Sequence, residues 1–164
     1  MQEIIIINTG GTFNKIYNPL TGNLDIDTKG TALLEIEKNW LNKYKIINII
    51  GKDSLDLTDE DRAFIVKTVK SVKEERIILV HGTDTMHITA KFLGEEKIIK
   101  TIILTGSMVP YSINPIEAIS NLATAYGFLH AIESPGVYIS MNGRIGDYKR
   151  VVKNKEKGYF EDSK

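Results

Sequence analysis

Small hydroxyl side chains beside glycine recur where the buried strands of this sequence are predicted to end. Thr12 follows Gly10-Gly11 at the end of a stretch that opens with four isoleucines, and Thr83 and Thr105 occupy similar positions later in the chain. A threonine hydroxyl attacks a carbonyl carbon only when a neighbouring base accepts its proton. A tyrosine or lysine of lowered pKa can be that base if the fold brings it within hydrogen-bond reach.

Three further side chains could take part in this chemistry, and each has a structural alternative. Tyr17 lies in the turn-rich residues 13–28, where it either packs the loop down or closes over a substrate. His81 ends a strand and is more readily explained as a structural residue than as a base. Asp84 sits beside Thr83 in a strand-to-helix turn, whose free N–H groups can stabilise negative charge, and it could equally cap the helix.

Several familiar sites are missing from the sequence. It contains no G-x-G-x-x-G for a dinucleotide and no G-x-S-x-G nucleophile elbow. No histidine and carboxylate spacing matches a zinc site, and the absence of cysteine removes thiolate ligands and nucleophiles. We therefore expect neither a cofactor nor a metal.

The elements that must position these residues alternate between strands and helices. Isoleucine-rich residues 4–9 predict the first strand, and a helix from Thr58 has an acidic first turn. The helix that begins at Asn114-Pro115 is expected to bury Ile116, Ile119, Leu122, Tyr126 and Leu129. Further strands are predicted at 45–50, 76–80, 101–104 and 137–140, with helices at 31–44, after residue 85 and at 114–133. Residues 13–28 read as a loop with a small hairpin around 22–23, and 143–164 have no clear pattern.

This alternation predicts an α/β fold with a mostly parallel central sheet and helices on both faces, in one domain covering residues 1–164. Four strands then end in polar, glycine-containing turns at one edge of the sheet, which is where open α/β sheets bind ligands. We expect a small-molecule site there.

Composition narrows the possible partners. The chain of 164 residues carries 21 basic and 21 acidic side chains, so it has no electrostatic footprint for nucleic acid or an anionic membrane. No apolar run approaches the length of a membrane span, and the first residues do not read as a signal peptide. We expect a cytoplasmic protein.

The motifs together resemble the L-asparaginase and glutaminase family of homotetrameric amidohydrolases, along nearly the whole chain. They are T-G-G-T at 9–12, D-S-L-D-L at 53–57, H-G-T-D-T-M at 81–86, T-G-S-M-V-P at 105–110 and the pair Asn121-Leu122. The resemblance implies that Thr12 is the nucleophile on a side-chain amide and that Thr83 is a second catalytic threonine. It also makes Tyr17 a candidate activating tyrosine, in a loop shorter than usual.

The resemblance assigns binding roles as well. Ser54 matches the serine that binds the substrate α-carboxylate, and Asp84 matches the aspartate that holds the ammonium. Gly11 and Leu55 join the substrate-binding residues, although Leu55 stands where many members have a glutamine. Lys153 either matches the lysine that hydrogen-bonds the second threonine or is a solvated lysine in a basic tail.

One departure from the family leaves the function open. Typical members carry a smaller C-terminal domain that lends side chains to the neighbouring subunit, and this sequence ends where the first domain would end. Three hypotheses remain: a compact amidohydrolase for asparagine or a related small amide, a non-catalytic amino-acid-binding domain, or a subunit completed by a partner or by self-association. We expect a homo-oligomer, a dimer or larger.

Overall fold

Ten strands and four α-helices make up the computed structural model, which describes residues 3–163. In chain order they are β1 (Ile4–Gly10), β2 (Lys15–Tyr17), β3 (Leu24–Ile26), α1 (Thr31–Trp40), β4 (Lys45–Lys52), α2 (Asp59–Ser71), β5 (Arg76–Val80), α3 (Met86–Glu95), β6 (Thr101–Thr105), α4 (Pro115–Ala131), β7 (Gly136–Met141), β8 (Arg144–Asp147), β9 (Val151–Asn154) and β10 (Tyr159–Asp162). Short 3-10 turns span Thr12–Asn14 and Ser54–Asp56.

The central sheet has six strands in the order β4-β1-β5-β6-β7-β8. The first five are parallel, and β8 is antiparallel to β7 at one edge. β1 lies between β4 and β5, with Ile6 opposite Ile46 on one side and Ile78 on the other. All seven residues of β1 are buried, as its β-branched run predicts. The predicted α/β fold is confirmed.

Helices cover both faces of the sheet because successive side chains of a strand point to opposite sides. Ile5 and Ile7 pack in one core cluster with α2 and α3, whereas Ile4 and Ile6 pack in the other with α1 and α4. No helix between residues 3 and 163 is long and apolar enough to cross a bilayer.

The predicted helix starts are present. Thr58 forms a capping box with Asp61, and the side chain of Asn114 accepts a hydrogen bond from the Ile116 backbone N–H, with Pro115 in the first helical position. The helix predicted over 31–44 ends earlier, at Trp40. Leu41 there adopts a left-handed conformation with φ 54°, which stops the helical hydrogen bonding.

The expected buried face of α4 is partly wrong. Ile116 and Ile119 are 70% and 40% exposed, whereas the buried stripe carries the small or polar residues Ala118, Asn121 and Ala125 with two leucines. Asn121 explains why the buried face of α4 differs from the expected one. Its amide donates to the Gly106 carbonyl, and its oxygen accepts from the Asn142 backbone N–H. A pattern that counts only large apolar residues misses such a stripe.

The segments predicted to lack pattern contain short hairpins. β2 pairs with β3, which confirms the small hairpin predicted around residues 22–23 but makes much of 13–28 regular. β9 pairs with β10, placing Phe160 opposite Lys153. Each strand of this second hairpin has four residues and buries one apolar side chain, Val151 in β9 and Phe160 in β10. So few residues cannot establish a periodic signal.

Candidate active site

The carboxyl ends of β1 and β5 flank the point where the order of the parallel strands reverses. The chain passes from β1 to β4 on one side and then crosses to β5 on the other. Open α/β sheets bind ligands in the crevice at such a switch point. Thr12 follows β1 by two residues and Thr83 follows β5 by three. The structure therefore brings the loops that carry Thr12 and Thr83 to the same edge of the sheet, at the ends of two adjacent strands.

Three loops pack against one another through glycine at this edge. A Cβ placed on Gly11 would lie 2.5 Å from the backbone nitrogen of Gly82, and a Cβ placed on Gly82 would lie 2.7 Å from the hydroxyl oxygen of Ser54. The Gly11 N–H also donates to the Lys52 carbonyl at 2.9 Å. Only glycine allows this approach. The loops after β1, β4 and β5 thus form one local cluster.

Lys153 enters this cluster from β9. Its ammonium donates to the Thr83 hydroxyl oxygen at 2.9 Å and to the Asp84 carboxylate at 2.7 Å, and its side chain is only 13% exposed. The interpretation of Lys153 as a solvated lysine in a basic tail is therefore wrong. The β9–β10 hairpin is what delivers it, because the buried Val151 and Phe160 anchor that hairpin to the core.

Two hydrogen bonds from Thr85 hold Ser54 in place. The Thr85 hydroxyl donates to the Ser54 carbonyl at 2.7 Å, and the Thr85 backbone N–H lies 3.4 Å from the Ser54 hydroxyl oxygen. The guanidinium of the buried Arg62 in turn donates to the Thr85 hydroxyl and to the Leu57 carbonyl. Sequence reasoning assigned no role to Thr85 or Arg62, although Thr85 lies inside the H-G-T-D-T motif.

A ladder of asparagine side chains holds the turn that carries Thr12. Asn8 and Asn14 are both buried, and their amides exchange two hydrogen bonds of 3.1 and 2.8 Å. Asn14 also donates to the Gly10 carbonyl at 2.7 Å, while Asn8 donates to Asn48 at 2.9 Å. Thr12 itself is half-buried. Sequence reasoning missed this ladder, although asparagine at a buried strand position is a detectable signal.

Two expected site residues lie toward solvent. Tyr17 occupies β2, opposite Leu24 of β3, and is 64% exposed. Leu55 lies in the Ser54–Asp56 turn and is also largely exposed. The structure thus places Tyr17 on the hairpin that follows Thr12, at the surface rather than within the cluster of Thr83, Asp84 and Lys153.

His81 belongs to the core beside the site. Its ring nitrogens lie 2.8 Å from the Thr89 hydroxyl and 2.7 Å from the Gly82 carbonyl, and the side chain is fully buried. Burial lowers the pKa of His81 to about 4, because charging the ring would cost its hydration. These contacts support the structural interpretation of His81. Within residues 3–163, no three His, Asp or Glu side chains gather to hold a metal ion.

Comparison with known proteins identifies the family. The model of the asparaginase N-terminal domain matches residues 3–160, nearly the whole chain. The chain belongs to the asparaginase family. The fold agrees, since the thermostable L-asparaginase from Thermococcus kodakarensis superimposes with a TM-score of 0.85 at 26% identity, over 98% of this chain and 51% of that one.

The relatives that this chain resembles include two kinds of protein. A glutamyl-tRNA(Gln) amidotransferase subunit from Methanococcus vannielii is 31% identical over 160 residues, covering 90% of this chain and 36% of its own. The probable periplasmic L-asparaginase from Haemophilus influenzae is 31% identical over 166 residues, covering 93% and 46%. The chain therefore spans less than half the length of these two relatives.

Proposed function

We propose that this chain is an asparaginase-like amidohydrolase that converts the side-chain amide of asparagine, or of a related small amide, into the acid and ammonia. Thr12 is the nucleophile of this proposal. Family membership supports hydrolysis of an amide in general. The observation that carries the finer assignment is the contact of Lys153 with both Thr83 and Asp84 at the switch point, beside the loop that carries Thr12.

The proposed reaction is an acyl transfer. The Thr12 hydroxyl attacks the amide carbon, and the oxyanion that forms is stabilised by backbone N–H groups at the strand ends. Thr83, hydrogen-bonded to Lys153, supplies a relay for the protons that the nucleophile loses and the leaving ammonia gains. Water then hydrolyses the acyl-enzyme and releases the acid. Tyr17, on the hairpin that follows Thr12, is the candidate base for Thr12.

Substrate recognition is assigned to the adjoining loops. Ser54 binds the α-carboxylate, Asp84 binds the ammonium, and Gly11 and Leu55 line the site. Asp84 already pairs with Lys153 through one carboxylate oxygen, at 2.7 Å, and it is more than one-third exposed. Its second oxygen can face a substrate ammonium, because a carboxylate offers several acceptor positions.

Replacement of Thr12 tests the nucleophile. We expect Thr12→Ala to reduce ammonia release from asparagine and glutamine at least about 100-fold, because the covalent step is lost. Thr12→Ser, which keeps a hydroxyl, should retain part of the activity. Thr124→Ala is the matched control, since Thr124 is exposed on α4. Equal ammonia release by the wild type and Thr12→Ala would rule out this nucleophile.

A second candidate is a domain that binds amino acids without turnover. The exposure of Tyr17 favours it, since within residues 3–163 no hydrogen bond joins Tyr17 to Thr12. Calorimetry with aspartate and asparagine separates the two functions. Micromolar binding without ammonia release supports the second, whereas the absence of saturable binding by any amino acid removes it.

A third candidate is a protein that needs a partner or a second copy to complete its site. The Methanococcus vannielii relative is a subunit of an amidotransferase, and the chain spans 36% of it. Light scattering combined with an ammonia assay on the same sample tests this candidate, and a fully active monomer contradicts it. Homo-oligomerisation and a cytoplasmic location both remain predictions.

A further inference from the structure

An ion pair joins the loop that carries Thr12 to the loop that carries Ser54. Lys15 lies three residues after Thr12, at the start of β2, and Asp53 immediately precedes Ser54. The Lys15 ammonium lies 2.6 Å from the Asp53 carboxylate. The pair therefore makes a second connection between loops that already meet through Gly11 and Gly82.

The pair is more enclosed than a typical surface salt bridge. The Lys15 and Asp53 side chains are 24% and 25% exposed, against 50% and 44% for the pair of Lys70 in α2 with Glu96 just after α3. Partial burial reduces screening by water and salt, so the attraction is stronger than at the surface. Together with hydrogen bonds from Leu55 and Ser54, Lys15 lowers the pKa of Asp53, against the raising effect of burial.

Further hydrogen bonds hold the residues at both ends of the pair. Asp53 is the N-cap of the Ser54–Asp56 turn, and its other oxygen accepts from the Leu55 backbone N–H at 3.3 Å. On the other side, the Ser112 hydroxyl donates to the Lys15 carbonyl at 2.7 Å, and the asparagine ladder holds the preceding Asn14. Because both segments are held in this way, the ion pair fixes the distance between them.

We propose that the Lys15–Asp53 pair is a positioning bridge that sets the separation of Thr12 and Ser54, and so selects the length of the amide substrate. The inference rests on the proposed function, in which Thr12 attacks the amide and Ser54 holds the α-carboxylate at the other end of the molecule. Asparagine and glutamine differ by one methylene between these two groups. A displacement of about 1 Å can cost about 100-fold in rate, so a fixed gap discriminates between them.

A double-mutant cycle tests the bridge. We measure kcat/KM for asparagine and for glutamine with the wild type, Lys15→Met, Asp53→Asn and the double variant. Asp53→Asn keeps an oxygen for the cap of the turn. We expect each single variant to shrink the wild-type preference between the two amides about tenfold. The double variant should match a single variant, because both changes remove the same contact. Lys70→Met, which breaks the more exposed pair, should leave the preference unchanged.

The possible outcomes separate the bridge from the proposed function. An active wild type whose preference is unchanged in the variants overturns the bridge alone, as does a double variant whose loss equals the product of the single losses. If the wild type releases no ammonia, the proposed hydrolase fails. The bridge is then tested by the ratio of the Kd values for aspartate and glutamate, measured with the wild type and the same variants. A wild type that also binds neither product removes both proposals.

Discussion

Lys153 shows how a single residue acquires a role from its neighbours. In the sequence it is one lysine among several in a basic C-terminal stretch. In the structure its side chain is largely buried and donates to Thr83 and Asp84. An ammonium group loses hydration when it is buried, so it needs partners of this kind. The contact is the strongest reason to assign chemistry to Thr83.

The first prediction concerns this contact. We expect Lys153→Met to lower kcat for amide hydrolysis at least about 100-fold, because the proposed proton relay through Thr83 would lose its partner. Thermal stability should change little, because Asp84 is exposed enough for water to replace the ammonium. Ammonia release and thermal unfolding of the same preparation measure both effects.

Lys155 provides the control for this prediction. It lies two residues further on, is exposed, and has the same side chain. Lys155→Met should behave as the wild type does. If the two methionine variants release ammonia at the same rate, Lys153 has no part in the reaction and the contact is only structural.

At the scale of elements, the turn Thr12–Asn14 depends on polar packing rather than on apolar packing. The paired amides of Asn8 and Asn14 connect this turn to the buried strand β1. Asn14 also accepts from the Asp27 backbone N–H through its carbonyl, which ties in the end of the β2–β3 hairpin. The asparagine ladder therefore positions the loop that carries Thr12, the proposed nucleophile, and the hairpin together.

The second prediction follows from this ladder. Asn14→Ala leaves the buried Asn8 amide short of a partner, so we expect the free energy of unfolding to fall by about 1–3 kcal/mol. The double variant Asn8→Ala/Asn14→Ala should cost less than the sum of the single changes, because the pair is lost only once. Urea unfolding measures these costs. Asn39→Ala, on the exposed part of α1, is the control, and strictly additive costs would show that the two amides act independently.

At the scale of the whole molecule, the burial of His81 links stability to pH. His81 has a pKa of about 4 in the folded protein against an ordinary value of 6.5, because burial disfavours the charged ring. Between these values the unfolded chain binds a proton that the folded chain does not. Stability from this group is therefore complete above about pH 6.5 and is lost as the pH falls toward 4.

The third prediction concerns how the stability contributed by His81 varies with pH. The stability advantage of the wild type over His81→Gln should shrink by about 3 kcal/mol as the pH falls from 6.5 to 4, since each pKa unit corresponds to about 1.4 kcal/mol. Urea unfolding at several pH values gives this difference, in which carboxylate titration common to both proteins cancels. A stability difference that does not vary with pH would contradict the prediction.

The local sequence determined the main strands, the helix starts and the fold class of this protein. Runs of β-branched residues predict β1 and β5, and the capping residues Thr58 and Asn114 predict where two helices begin. Alternation of these elements is enough to predict a parallel sheet whose polar turns meet at one edge. Such features depend on the preferences of neighbouring residues, and those preferences are visible in a short window of sequence.

Only the tertiary structure showed which distant side chains meet, although the motif resemblance had already offered the contact of Lys153 with Thr83 as one of two interpretations. Lys153 and Thr83 are 70 positions apart, and Asn8 and Asn48 are 40 apart, so no spacing rule predicts that they form hydrogen bonds. The buried stripe of α4 and the short hairpin that delivers Lys153 likewise depend on what packs against them. Contacts between distant segments depend on how strands and helices pack in three dimensions, and local periodicity carries no information about that packing.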